Sequence, residues 1–313
     1  MARAIFAPSI HNTQPWRFGL APDELQIHAD PERRLPVLDP RGRQMTISCG
    51  CALLNARVSL AADGIAAAVS RLPDELNPTY LARITAAPGA PNLDLARLAP
   101  AIEVRRTNRR EFSNDSVPAE VLDALTAAAR QEHAELHVVE RREHRASLAR
   151  LTRLADAIEN ADPAYRAELR AWTTDDPCRP DGVPAFAVPY VAGTSGDDVP
   201  IRDFDARGTG WLPAHSYPSA EQTLLLLTTP GDSRRDWLHA GEALEHVLLT
   251  VAALDYAASP FTSLIELART RDVLMLELEL YEFPHVLLRV GQAPPTPPTN
   301  RRALADMLVE PSH

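Results

Sequence analysis

Apolar residues recur with helical spacing in two segments of the chain. One stripe runs through residues 241–253 and one position beyond, and it contains Leu244, Val247, Leu248, Val251 and Leu254. Apolar positions three and four residues apart lie on one face of a helix, so this stripe predicts a helix that packs against a core. Residues 46–70 are rich in Ala and Leu and predict a second, longer helix.

Shorter apolar runs bounded by turn residues predict β-strands. The expected strands cover 78–86, 135–140, 222–229 and 284–290, with a strand or hairpin within 14–30. Further helices are expected over 118–131, capped by Ser116, and over 143–172. A Pro- and Ala-rich connector covers 87–100, and the C-terminal tail is expected to be extended before a short helix. This mixture indicates an α+β or α/β protein.

Two pairs of segments resemble each other, which indicates an internal duplication. Residues 50–62 read GCALLNARVSLAA, and residues 241–253 read GEALEHVLLTVAA. Downstream, PTYLARI at 78–84 and PHVLLRV at 284–290 share the pattern Pro-x-x-Leu-x-Arg-aliphatic. A helix followed by a strand, used twice in the same order, is typical of a repeated unit.

The repeat predicts two similar units, covering residues 1–100 and 101–313. The second unit includes residues 173–220, which are rich in Pro, Gly and Asp. A segment this long without obvious elements of its own predicts a lid or an arm.

Charge and cysteine content narrow the partners and the compartment. The net charge of −10 over 313 residues disfavours nucleic acid, because phosphate backbones bind to basic surfaces. Three cysteines are too few, and odd in number, for a disulfide scaffold, so we expect a cytoplasmic protein. Within it, Cys49 and Cys51 are expected to be buried and structural. Neither a membrane-spanning run nor a signal-peptide pattern is evident from the sequence, so no membrane partner is expected.

A local basic island, RRTNRR at 105–110, stands out in this acidic chain. Such a run is commonly a solvated charged surface. Alternatively it is a phosphate clamp, because the planar guanidinium of Arg matches phosphate oxygens. A second basic pair, Arg301 and Arg302, follows a Pro-rich segment near the C-terminus.

A polar motif near the N-terminus identifies a family resemblance. Residues 8–16 read PSIHNTQPW. This motif is similar to the Pro-Ser-x-x-Asn-x-Gln-Pro-Trp loop of the FMN-dependent nitroreductases, and 105–109 resembles their Arg-rich opening segment. The arrangement also resembles the Acg-type branch of NAD(P)H nitroreductases from actinobacteria. In this chain, however, the loop precedes the Arg segment, which is the reverse of the order within one nitroreductase unit.

The reversed order and the internal repeat together imply two degenerate nitroreductase-like units that mimic the family homodimer in one chain. Family members place a flavin at the dimer interface, with the loop from one subunit and the Arg segment from the other. Here only one such composite site keeps both parts, so the resemblance implies one FMN per chain. It also implies a monomer, with further dimerisation left open.

The resemblance implies a set of residues that bind FMN: Pro8, Ser9, Asn12, Arg105, Arg106, Thr107, Arg109, Thr262, Ser263, Arg301 and Arg302. Arg109 is expected near the pyrimidine edge of the flavin, and Thr262 and Ser263 near flavin N5, where many members have an acidic residue and a Gly. Gln14 and Trp16 are expected to pack and hold the loop. His11, at a variable position of the motif, is expected at the surface or behind the residues that contact the ligand, with a role as proton donor as the alternative.

The implied activity is NAD(P)H-dependent reduction of a small-molecule acceptor such as a nitroaromatic or a quinone, with the flavin carrying the chemistry. NAD(P)H is then a transient donor, since the sequence contains no dinucleotide-binding Gly-x-Gly-x-x-Gly after a strand. The alternative is a protein that stores FMN beneath residues 173–220 without turnover. Glu242 and His246 share a helix face, but no further ligands accompany them, so a metal site is not expected.

Overall fold

The computed structural model describes residues 1–110, 112–187, 199 and 222–310. Its α-helices are α1 Arg43–Ala62, α2 Leu93–Ala96, α3 Ala99–Val104, α4 Ala119–Gln131, α5 Arg142–Ala161, α6 Pro163–Ala171, α7 Arg234–Ala253, α8 Ser263–Glu266 and α9 Ala268–Glu277. Its strands are β1 Trp16–Ala21, β2 Glu24–Ala29, β3 Ala67–Arg71, β4 Tyr80–Ala86, β5 Glu135–Val138, β6 Thr173–Thr174, β7 Val183–Pro184, β8 Thr223–Thr229, β9 Ala257–Phe261, β10 Phe283–Gly291 and β11 Leu308–Val309. Helices and sheets are both present in quantity, as the α+β expectation requires.

Two sheets flank a central pair of helices. The first sheet has the order β11-β1-β2-β4-β3, and the second has the order β5-β8-β10-β9. Apart from β11, which runs parallel to β1, neighbouring strands in both sheets are antiparallel. In each sheet, the two strands that follow the long helix in sequence, β3 and β4 or β9 and β10, lie side by side at one edge.

The long helices α1 and α7 pack against each other through glycine. Each has 20 residues, and Gly50 and Gly241 are both the eighth residue of their helix. A Cβ on Gly241 would lie 2.0 Å from the carbonyl oxygen of Ile47, and one on Gly50 would lie 2.4 Å from that of Leu238. Only glycine permits this backbone approach, so the two glycines aligned by the sequence repeat meet at the helix contact.

Helix α1 is both strongly apolar in composition and largely buried in the fold. By length and apolarity it could cross a membrane, contrary to the expectation that no run approaches that length, but 83% of its most apolar window is buried in the fold. Cys49 and Cys51 lie within it as buried free thiols, and Cys178 is an exposed free thiol. The prediction that Cys49 and Cys51 are buried is therefore confirmed.

Several predicted elements have different ends from those expected. The predicted helix over 46–70 ends at Ala62, because Gly64 adopts a positive φ of 79° and the chain then turns into β3. The predicted helix over 143–172 is two helices, α5 and α6, separated at Pro163, where the side chain of Asp162 caps the second one.

Other corrections concern segments expected to be irregular. The connector over 87–100 contains α2 and the start of α3. Ser116 does not cap α4, whose N-cap residue is Pro118, without a capping side chain. The residues directly before Thr262 form β9, which pairs with β10.

The hairpin predicted within 14–30 is confirmed as β1 and β2, and the strands predicted at 78–86, 135–140, 222–229 and 284–290 are confirmed as β4, β5, β8 and β10. The expected short helix near the C-terminus is a 3-10 turn over Leu304–Met307, followed by β11. Of the predicted lid over 173–220, residues 173–187 and 199 are described, and the rest lies outside the described residues. The division at residue 100 stays a prediction, and β11 brings C-terminal residues into the first sheet.

Candidate functional site

The N-terminal motif forms a tight loop with unusual backbone angles. His11, Asn12 and Gln14 have φ values of 47°, 54° and 48°. Residues that carry a Cβ rarely adopt positive φ values. The contacts around the loop must therefore hold it in this conformation. The hydroxyl of Ser9 accepts a hydrogen bond from the Gln14 amide at 2.9 Å, and the Ile10 amide donates to Ser48 Oγ at 3.2 Å. The loop is thereby fixed to itself and to α1.

The basic island is fixed to the second sheet through its central asparagine. Thr107 bridges to Ala258 of β9, and the Asn108 amide donates to the Ala258 carbonyl at 2.9 Å. The buried Asn108 side chain donates to the Pro294 carbonyl at 2.7 Å and accepts from the Arg110 amide. Sequence analysis missed Asn108, although a short amide within a run of arginines is a signal for a local backbone contact.

The loop and the basic island meet at a cavity that we call the apolar cavity. It holds about 840 Å³ of space, including its opening to solvent. Its lining includes six residues predicted from the sequence: Pro8, Ser9, Thr107, Arg109, Thr262 and Ser263. The other lining residues are Ile10, His11, Gln44, Ile47, Ser48, Cys51, Leu244, Ser259, Pro260, Phe261 and Val286.

A second cavity, which we call the arginine cavity, adjoins the first. It holds about 510 Å³ of space and is lined by Pro8, Ser9, Asn12, Arg105, Arg106, Thr107, Arg109, Gly182, Val183, Ala187, Pro297, Thr299 and Arg301. The two cavities share Pro8, Ser9, Thr107 and Arg109. A largely apolar space therefore continues into a strongly cationic one.

Three of the arginines that line the arginine cavity carry positive charges that affect the pKa of two of them, Arg106 and Arg301. Burial first, and then the neighbouring charges of Arg105 and Arg106, lower the pKa of Arg301 to about 9. Burial and the charge of Arg105 also lower the pKa of Arg106. Because the cations destabilise each other, an anion bound between them would be stabilised by all three.

Arg105 is the most buried of these side chains that face the cavity. Its Nη2 donates to the Phe6 carbonyl at 3.1 Å, and its Nε lies 3.5 Å from a carboxylate oxygen of Glu245. Its Nη1 is buried without a hydrogen-bond partner among the described residues. Since unsatisfied buried donors are costly, this guanidinium retains capacity to bind an anion.

The remaining predicted residues divide into those that line the site and those that hold it together. Asn12 lines the arginine cavity, while its side-chain amide donates to the carbonyls of Gly182 and Asn300 at 3.0 and 3.2 Å. Gln14 and Trp16 are fully buried, in agreement with their expected packing roles. His11, expected at the surface or behind the site, is buried and borders the apolar cavity.

Arg302, alone among the predicted FMN-binding residues, does not line either of the two cavities as described. Its backbone amide donates to Gln14 Oε1 at 2.8 Å, and its guanidinium donates to the carbonyls of Gln14 and Asp306. It lies outside the described lining of both cavities. Arg301, its neighbour, donates instead to the carbonyls of Ile5, Phe6 and Ala7 beside the arginine cavity.

On α7, two of the positions that correspond to cavity-lining residues of α1 carry larger polar side chains. Ser48 and His239 are both the sixth residue of their helix, and Cys51 and Glu242 are both the ninth. Ser48 and Cys51 line the apolar cavity, whereas Glu242 is fully buried in ion pairs.

These ion pairs form what we call the charged cluster: Arg57, Arg71, Glu132 and Glu242. Arg71 Nε and Arg57 Nη1 lie 2.6 and 2.7 Å from the two carboxylate oxygens of Glu242. Arg57 also pairs with Glu132, whose other oxygen lies 3.2 Å from His246 Nδ1. Glu242 and His246 are thus engaged by other residues, and the described residues contain no group of three or more metal-ligating side chains.

Comparisons with known proteins place the chain in a family. No family model matches it. A Mycobacterium tuberculosis protein named "Putative NAD(P)H nitroreductase" is 36% identical over 97% of this chain and 88% of its own length. Another from the same organism, "Putative NAD(P)H nitroreductase acg", is 31% identical over 96% of this chain and 91% of its own.

Among solved structures, a nitroreductase with bound FMN from Desulfitobacterium hafniense aligns with a TM-score of 0.41 and 13% identity. The alignment covers 69% of this chain and 98% of that one. The sequence relatives, which match over most of both chains, are the stronger finding. The chain therefore belongs to the nitroreductase family, in the group of NAD(P)H nitroreductase-like proteins that includes acg.

Proposed function

We propose that this protein is an FMN-dependent oxidoreductase that takes a hydride from NAD(P)H and passes two electrons to a small-molecule acceptor such as a nitroaromatic or a quinone. The observation that carries the proposal is the continuity of the apolar cavity with the arginine cavity. A flavin mononucleotide has the same two parts, a flat, largely apolar ring system and a phosphate dianion. Pockets of this size and mixed lining are typical of cofactor sites.

The arginine cavity fits a phosphate by its donors as well as its charge. Arg105, Arg106 and Arg301 converge on it, and Arg105 keeps a buried donor without a partner among the described residues. Planar guanidinium groups bind phosphate oxygens with short, charge-assisted hydrogen bonds. Burial lowers the pKa of Arg301 most, and the charges of Arg105 and Arg106 lower it further; a bound phosphate would offset those two charges.

The apolar cavity suits the ring system, and its polar rim suits orientation of the ring. Thr107 and Arg109 border both cavities, and we assign Arg109 to the pyrimidine edge, where a cation stabilises negative charge. Thr262 and Ser263, between the end of β9 and the start of α8, line the apolar cavity but not the arginine cavity as described. Bound FMN would supply the hydride and electron transfer, and these side chains would bind, orient and shield it.

We further propose that the chain contains two degenerate units that together build one flavin site. The equal length of α1 and α7, their contact through Gly50 and Gly241, and the matching strand orders of the two sheets support this interpretation. Glu242 of the charged cluster occupies the α7 position that corresponds to Cys51, where a second site would need open space. One FMN per chain and a monomer that mimics the family dimer are the expected consequences.

Storage of FMN without turnover is the second candidate, and one observation favours it. Gly182, Val183 and Ala187, from the start of the predicted lid, already line the arginine cavity. The Gln14 side chain donates to the Pro180 carbonyl at 2.9 Å, which ties this segment to the N-terminal loop. A segment held over the phosphate would slow release of the cofactor.

One experiment separates the two candidates. The purified protein is loaded with FMN, freed of excess cofactor and mixed with NADPH or NADH without oxygen, while the flavin absorbance is followed. Bleaching within seconds, reversed by a nitroaromatic or a quinone, is the expected result. Tight binding without bleaching by either donor would favour storage, and failure to retain FMN would contradict both candidates.

A further inference from the structure

A buried carboxylate stands directly behind the arginine cavity. Glu245, on α7, is fully buried, and one of its oxygens lies 3.5 Å from Arg105 Nε, which is itself 4% exposed. Neither carboxylate oxygen has a hydrogen bond within usual geometry among the described residues. The charge of Arg105, followed by the neighbouring Asn55 side chain, does most to favour the ionised form of this carboxyl group.

The groups around Glu245 come from three parts of the chain. Arg105 approaches from the basic island, Arg301 contributes positive charge from the C-terminal tail, and Cys51 and Asn55 approach from α1. Both arginines line the arginine cavity. Any anion bound there competes with Glu245 for the same positive charge.

We propose that Glu245 is a positioning residue that couples binding of the FMN phosphate to the uptake of a proton from solvent. Without ligand, the carboxylate holds the Arg105 guanidinium at the wall of the cavity. With the phosphate bound, Arg105 and Arg301 serve the phosphate, and Glu245 becomes a neutral carboxylic acid. The balance is one ionised carboxylate plus one solvent proton giving one carboxyl group, and no other bond is made or broken.

Physical chemistry supports the direction of this exchange. Burial raises the pKa of Glu245 to about 7, and the charges of Arg105 and Arg301 act in the opposite direction. A phosphate dianion in the cavity offsets those two cations, which raises the pKa of Glu245 further. Slightly above neutral pH, Glu245 is then mostly ionised in the free protein and mostly protonated in the complex. By linkage, FMN affinity falls as the pH rises through this range.

The inference rests on the proposed FMN site, so its test must separate the two. Calorimetric titrations of the full chain with FMN at pH 7.5, in buffers of different ionisation enthalpy, count the protons taken up. At this pH the phosphate is already a dianion, since its second pKa is about 6. We expect uptake of about half a proton per FMN, and a loss of affinity of about fivefold between pH 7 and pH 8.5.

Three comparisons make the outcome specific. Riboflavin, which lacks the phosphate, is expected to bind with no proton uptake. Glu245→Gln, which keeps the shape and removes the titration, is expected to abolish both the proton uptake and the pH dependence of FMN affinity over this range. Glu132→Gln, which removes a buried carboxylate of the charged cluster, is the matched control and is expected to leave the uptake unchanged.

The possible results are distinguishable. FMN binding without proton uptake in the unaltered protein, or equal uptake with riboflavin, would overturn the role of Glu245 and leave the FMN site intact. Uptake that survives in Glu245→Gln would do the same. No FMN binding at any pH would overturn the proposed function itself. The wild-type comparison of FMN with riboflavin requires no variant, so it decides the question even if a variant fails to fold.

Discussion

Equivalent positions on the two long helices, α1 and α7, have different surroundings. On α1, Ser48 and Cys51 are small and line the apolar cavity. On α7, the equivalent positions are His239 and Glu242, and Glu242 is enclosed by Arg57 and Arg71. The helix lengths and the glycine contact match, so the difference lies in side chains and not in the backbone path.

The strands beside the helices show the same contrast. In the second sheet, Ser259 of β9 pairs with Arg289 and is followed by Pro260, which lines the apolar cavity. In the first sheet, Ser70 of β3 pairs with Arg83 and is followed by Arg71, which enters the charged cluster. Arg71 and Glu242 therefore fill one region with an ion pair, while Ser48, Cys51 and Pro260 border the cavity in the other.

The largest expected effect comes from breaking the closed region. Glu242→Ala leaves Arg71 without its buried partner and deprives Arg57 of one of two, which should lower the free energy of unfolding by about 3–5 kcal/mol. Urea denaturation measures the change. FMN affinity should remain within about twofold, because the charged cluster lies outside the described lining of both cavities.

The paired replacement Glu242→Met with Arg71→Met serves as the control. It removes both charges of one ion pair and leaves Arg57 with Glu132, so its loss of stability should be much smaller than that of Glu242→Ala. Equal losses for the single and paired variants would show that packing, and not charge pairing, closes this region.

The next effect concerns the contact between the two helices. Gly241→Ala would place a Cβ 2.0 Å from the Ile47 carbonyl oxygen, so the helices must separate. We expect a loss of about 3 kcal/mol in the free energy of unfolding and weaker FMN binding, since the apolar cavity takes residues from both α1 and α7. Unchanged stability would contradict the close approach that we describe.

A smaller effect is expected within the open region. Arg106→Ala removes one cation of the arginine cavity and should weaken FMN binding at least about tenfold, because hydrogen bonds to charged groups are worth about 1.5–3 kcal/mol. Fluorescence titration measures the affinity. Riboflavin affinity should stay within about twofold, and an equal loss for riboflavin would mean that the cavity does not hold the phosphate.

The smallest effect is expected for Arg302→Ala, the matched control for the preceding change. Its guanidinium contacts the Gln14 and Asp306 carbonyls and lies outside the described lining of both cavities. FMN affinity should fall by less than about threefold, with a small loss of stability from the released loop. A loss as large as that of Arg106→Ala would restore Arg302 as a phosphate ligand.

The sequence predicts the open region better than the closed one. The motif at 8–16 and the basic island are contiguous in sequence, and the structure brings both to one site. The charged cluster draws on α1, β3, α7 and the residue that follows α4, and a contact between residues so far apart leaves no local pattern. The segment that becomes β3 reads as helix because of its alanines, and its pairing with β4 overrides that preference.

Two details of the site depend on directions that a motif does not encode. Arg301 and Arg302 are adjacent in an extended tail, where successive side chains point to opposite sides, so only one can face the arginine cavity. Gln44, Ser48 and Cys51 lie on one face of α1, but apolar periodicity does not mark them because the whole helix is buried. Their role becomes visible only when the loop packs onto that face.

The central claim is that the two halves build one open flavin site and close the other. The most direct measurement is the molar ratio of FMN to chain after saturation, removal of free cofactor and independent quantification of flavin and protein. The account predicts one FMN per chain in the unaltered protein, whether the protein is a monomer or associates further. A ratio of two would contradict closure by the charged cluster, and a ratio of zero would contradict the assignment of the open site.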